Sequence, residues 1–128
     1  MIFTNKHFIA YLKTLVVEDK DVKFYNSFTD YSSEKSISVY NSSNQAAMRA
    51  DRLAVLPVTI LICYGTNADK CQEFVMGLFF KLFKQGKKTY NGTEFTVDIT
   101  TMPVSLGKSE AGYFSFAIDC KIYYNKED

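Results

Sequence analysis

The run Leu53-Ala54-Val55-Leu56-Pro57-Val58-Thr59-Ile60-Leu61-Ile62-Cys63-Tyr64 constrains the fold more than any other stretch. It is about 12 residues long, rich in β-branched residues, and apolar on both faces of a period of two. Val58, Ile60 and Ile62 point one way; Thr59, Leu61 and Cys63 point the other. Such a strand must be central and covered on both sides, by its own chain or by a partner. Pro57 belongs near its start, because proline donates nothing to a ladder. Gly65 ends it, and Thr66 or Asn67 can cap the next element.

That next element is a helix over Asn67–Gln85, about 19 residues and roughly 28 Å long. Cys71, Phe74, Val75, Leu78, Phe79 and Leu82 recur at helical spacing and predict the buried stripe. Gly86 sits where a C-terminal cap glycine belongs. Met76 and Phe80 fall off the stripe, one turn apart, and Phe83 bridges the two faces. Two readings fit this second face: cover by another helix of the same chain, or contact with another subunit.

Elsewhere the patterns are shorter. Asn5–Glu18 is an amphipathic helix with Phe8, Ile9, Leu12, Leu15 and Val16 on one stripe. Val22–Phe28 alternates and predicts a strand; Thr29–Lys35 is a polar loop; Ser36–Tyr40 is a short strand. Asn41–Asp51 reads as a loop with a helical turn or an extended arm. Asn91-Gly92 is a hairpin signal between Lys88–Tyr90 and a strand over Glu94–Thr101. Met102–Gly112 reads as a loop, punctuated by Pro103, Gly107 and Gly112, with Lys108 and Glu110 at its tip. Tyr113–Tyr124 is a final aromatic strand.

Composition narrows the function. At 128 residues one domain with a real core is expected. The net charge of +1 supplies no field to gather nucleic acid, membrane or an acidic substrate. Lys81, Lys84, Lys87 and Lys88 do cluster near the end of the second helix. They read as a solvated helix end, where cations complement the dipole, or alternatively as the basic patch of a nucleic-acid-binding module. Cys63, Cys71 and Cys120 are odd in number and lie in apolar runs, so they predict free buried thiols and a reducing compartment such as a cytoplasm. Met1–His7 meets charge too soon for a secretory signal, and no apolar run is long enough to span a bilayer, so no membrane partner is expected.

Catalytic constellations do not emerge. His7 is the lone histidine, in the first helical turn, and reads as a surface or cap residue. Gly107-Lys108-Ser109 imitates the end of a phosphate loop, but Met102 stands where its first glycine belongs and a strand comes next in place of a helix. The carboxylates are dispersed; Asp98 and Asp119 read as structural neighbours of Lys121 on adjacent strands. The expectation is a protein that is not an enzyme and holds no cofactor or metal.

From Leu53 onward the order of elements resembles a phage family. Val58–Ile62 precedes a helix rich in Ala, Cys, Phe and Leu, then the Asn91-Gly92 hairpin, then Met102-Pro103-Val104-Ser105-Leu106-Gly107-Lys108-Ser109-Glu110-Ala111-Gly112-Tyr113 leading into Phe114–Asp119. This is similar to the minor capsid or tail-terminator proteins of long-tailed phages and tail-like particles, over about Leu53–Tyr124. The family often carries an acidic pair and Gly-Arg in the loop, where this chain has Ser109–Tyr113 and no arginine. The resemblance implies an α+β fold: a mixed, mostly antiparallel sheet with two helices mainly on one face. It implies a homo-oligomeric ring, typically a hexamer, at the tail–head junction of a virion assembled in a host cytoplasm. The ring's partners would be the tail tube protein and the head-connector or neck proteins, with a sheath where one exists, and no specific nucleic acid.

A ring needs complementary apolar patches between copies, and loops that reach unlike neighbours. Met76, Phe80, Phe83 and Tyr113 are the expected subunit contacts. Gln45, Arg49 and Arg52 in one loop, and Leu106, Gly107, Lys108, Glu110 and Gly112 in the other, are the expected contacts with other proteins.

Overall fold

The computed structural model describes residues 2–42, 53–84, 87–99 and 101–125. Among these residues two helices and seven strands run in the order α1 (Asn5–Leu15), β1 (Lys23–Asn26), β2 (Lys35–Asn41), β3 (Leu53–Tyr64), α2 (Ala68–Phe83), β4 (Lys88–Tyr90), β5 (Thr93–Asp98), β6 (Val104–Lys108) and β7 (Phe114–Asn125). The strands form one curled sheet in the order β1-β2-β3-β7-β5-β4, with β6 also on β7. Among the described residues β1 and β2 pair in parallel and the other pairs are antiparallel. The fold is α+β.

β3 is central, as its two apolar faces require. It pairs with β2 on one side and with β7 on the other, from Leu53↔Asn125 to Cys63↔Ser115. Gly65 closes it in the left-handed region at φ 72, where a side chain would be strained. That turn lets the Gly65 N–H reach Glu34 O (2.9 Å) and its C=O accept from Phe114 N (3.0 Å).

Register assigns the two faces. Ile37 and Val39 of β2, Val58, Ile60 and Ile62 of β3, and Ile118, Cys120 and Ile122 of β7 share the concave face and are buried. Both helices pack there: Phe8 and Leu12 of α1 and Cys71, Val75, Leu78 and Leu82 of α2 join the same core. The curl brings opposite ends of the sheet to α1. The helix packs on β1 and β2, while Tyr11 meets Phe95 of β5 edge-on at 5.0 Å. At its start the Asn5 amide donates to Asn26 (3.2 Å) and Asn41 (3.2 Å), so this buried polar group is satisfied.

Four elements depart from the pattern-based expectation. The first helix stops at Leu15, and β1 is only Lys23–Asn26. The segment after β1 is a short crossover that makes β1 and β2 parallel. Thr29 donates to Ser38 Oγ (3.0 Å) and shares a hydrogen bond with Tyr40 OH (2.5 Å), so the buried Ser38 hydroxyl is satisfied by it. The strand over Glu94–Thr101 ends at Asp98. The largest correction concerns Leu106, Gly107 and Lys108, expected in a loop. They lie in β6, paired with the first half of β7, and a register shift between Ser105 and Gly107 hides the alternation. The loop proper is Ser109–Tyr113, closed by Ser109 N–H to Tyr113 O at 2.9 Å.

Candidate functional site

α2 begins cleanly. Asn67 accepts the Lys70 N–H on its side-chain oxygen at 3.0 Å, and Asp69 in the first turn complements the helix dipole. Cys71, Val75, Leu78, Phe79 and Leu82 turn inward. Phe74 is half-buried and lies flat on Tyr64, ring centroids 4.0 Å apart at 9°.

The other side of α2 is open. Phe80 is 61% exposed and Phe83 51% exposed, both steadied by Phe79, at 5.5 and 5.6 Å between centroids. α1 does not cover them. Met76 differs: it is half-buried and packs against the core. Phe83 also walls a hollow of about 320 Å³ with Thr96, Val97, Asp98, Ile99 and Tyr123, at the end of β5 that β4 leaves unpaired. Gly77 sits between Met76 and Phe80 on the exposed face, and a Cβ there would meet nothing within 4 Å. A glycine in a helix interior costs about 1 kcal/mol relative to alanine. Neither packing nor a positive φ within the chain explains it.

A second surface lies at the β6–β7 hairpin. Met102 just before β6, and Val104 and Leu106 within it, are exposed, and among the described residues β6 pairs only with β7. Gly107 (φ 81) sits at the register shift and Gly112 (φ 93) in the loop, where left-handed backbone favours glycine. Lys108 lies over the Phe114 ring at 6.0 Å, Glu110 is exposed at the tip, and Tyr113 is half-buried beside it.

These two surfaces are separate. Cys71 in the first turn of α2 reaches Phe114 O (Sγ to O 3.5 Å), while Phe83 at its far end meets Tyr123 and β5. From Cys71 to Phe83 the helix rises about 18 Å. Met76, Phe80 and Phe83 are therefore grouped, and Tyr113 joins the hairpin set instead. Gln45, Arg49 and Arg52 lie outside the described residues, as does Gly86.

Two of the four clustered lysines are engaged. Lys81 donates to Leu15 O (2.6 Å) and pairs with Glu18 (3.1 Å), and Lys88 donates to Lys84 O (2.9 Å). Burial, and then the neighbouring Lys84 charge, lowers the Lys88 pKa.

Three further features bear on chemistry. His7 is a cap: its Nδ1 accepts the Thr4 N–H at 3.0 Å. The three thiols are free and buried; burial pushes Cys71 up to about 11, and raises Cys120 as well, so neither is a ready nucleophile. Among the described residues no group of three or more His, Cys, Asp or Glu is placed to hold a metal ion, and no helix is long and apolar enough to cross a membrane.

The sequence marked the α2 aromatics through their spacing, but it passed over Gly77 and the edge residues Met102 and Val104. A glycine amid good helix formers was the available signal for the first. Comparison with family models and with curated proteins finds no match for this chain.

Proposed function

We propose that this chain is a structural subunit of the tail-terminator kind, which closes into a ring on the end of a phage-type tail tube and joins it to the head connector. The observation that carries the reading is the pair Phe80 and Phe83, two phenylalanines held on the outside of α2 with more than half their surface in water. Covering them would stabilise an assembly by about 1–2 kcal/mol each. The α+β fold, with one mostly antiparallel sheet and both helices in its concave face, is the architecture that the resemblance over Leu53–Tyr124 implies. The β6–β7 hairpin, which meets α2 near its start and not at the Phe83 end, is the second surface that a ring needs for unlike neighbours, with exposed Leu106, Lys108 and Glu110.

The nucleic-acid reading has less support. Lys81 is committed to Glu18 and Leu15, and a net charge of +1 offers little steering.

Mixing the purified chain with the tail tube protein of its particle tests the proposal. Electron microscopy is expected to show closed rings on tube ends, and Phe80→Ser with Phe83→Ser to abolish them. A chain that stays off the tube ends would overturn it.

A further inference from the structure

The exposed ridge of α2 reads Glu73, Gly77, Phe80, Lys84, and all four residues are exposed. Their spacings are four, three and four. At 3.6 residues per turn these positions form one line along the helix, opposite the buried stripe. The spacing is the same read from either end. Reversing the helix direction therefore superposes Glu73 on the position of Lys84, and Gly77 on that of Phe80.

We infer that α2 is the contact of a two-fold dimer, in which two copies of α2 pack antiparallel through this ridge. Each Phe80 seats over Gly77 of the partner subunit, and each Glu73 meets Lys84 of the partner subunit. The residue types fit their places. An aromatic ring needs a hole, and Gly77 is the one interior position of α2 with no side chain and open space above it. Glu73 and Lys84 have no ion-pair partner among the described residues, while Lys81, one turn before Lys84, is already held by Glu18. A two-fold contact requires self-complementarity, residue i on j and j on i. A knob beside a hole, flanked by opposite charges at equal distances, supplies it. An apolar centre with a charged rim is also the usual anatomy of a contact surface. The dimer does not depend on ring formation, although the contact uses the same Phe80. The free dimer and the ring would then compete for one face.

Charge exchange tests the contact, read by sedimentation equilibrium of the purified full chain. Wild type is expected to dimerise. E73K alone and K84E alone should each weaken dimerisation about tenfold or more, since each creates two like-charge encounters across the axis. A one-to-one mixture of the two variants should recover it as a heterodimer, and the double variant E73K/K84E should recover it alone. All these positions are exposed, and far-ultraviolet circular dichroism confirms that each variant is folded. Gly77→Leu, which fills the seat, should weaken the dimer without changing the charges. A wild type that is monomeric at every concentration overturns the inference. So does a dimer, or a larger assembly, that ignores the charge exchanges. A dimer that obeys them in a chain that never caps tubes keeps this contact and discards the ring.

Discussion

Asp19 holds together three parts of the chain that the sequence keeps apart. Its carboxylate accepts a short hydrogen bond from Tyr64 OH at the end of β3, and pairs with Lys35 at the start of β2 (3.3 Å). The Lys35 ammonium also lies 4.9 Å from the centre of the Tyr64 ring, whose other neighbour is Phe74 of α2. The Tyr64 hydrogen bond is the main reason that the Asp19 pKa falls below its ordinary 3.8, with the Asp21 N–H and Lys35 adding to it. Burial, and then the bond to Asp19, raises the Tyr64 pKa. A lowered carboxyl pKa contributes stability that is present above the unfolded value of 3.8 and is lost as the pH falls below it through the folded value. Asp19→Asn is therefore expected to cost about 1–2 kcal/mol near neutral pH and to flatten the fall in melting temperature below about pH 4. Thermal melts of both proteins from about pH 2 to 7 check this, and parallel curves would contradict it. None of this was legible in the sequence. Asp19-Lys20-Asp21 reads only as the end of a helical pattern, and nothing in a linear chain links it to Lys35 or Tyr64.

Elements with strong local rules were legible. Asn91-Gly92 forms its two-residue turn with both φ values positive (53 and 82), and Tyr90 pairs with Thr93 across it. Asn67 caps α2, and β3 runs over Leu53–Tyr64 as its composition requires. β6 was not legible. Pro103 and Gly107 are loop residues by habit, and the register shift beside Gly107 breaks the period of two that would have marked a strand. The candidate surface was legible to the same extent: periodicity placed Phe80 outside the core stripe, but only burial shows that Met76 packs inward while Phe80 does not. Gly77 supplies the prediction at this scale. Gly77→Ala should stabilise the monomer by about 0.5–1 kcal/mol, because nothing in the chain occupies the space a methyl group would fill. Urea unfolding at concentrations too low for dimers measures it. A loss of stability would mean that the helix needs glycine for its own packing.

At the scale of the whole molecule the sheet is organised around β7, which pairs with β3 along one edge and divides the other between β5 and β6. Periodicity could not foresee this, because strand order is a matter of closure across long stretches of chain. Nor could it foresee the curl, which lets α1 touch both β2 and β5 and fill the concave face. The position of β7 has a temporal side. Among the described residues the longest strand pairing joins β3 to β7, residues 52 to 72 positions apart, so β3 gains its second neighbour only once β7 follows it. Loop closure over such distances is slow, and folding in milliseconds to seconds is expected, not the microseconds of helical bundles. Stopped-flow refolding by tyrosine fluorescence measures this, and a microsecond phase carrying the full amplitude would refute it. Until β7 is made, the edge of β3 that it covers keeps its backbone N–H and C=O groups open, and a growing chain is most prone to aggregate through that edge.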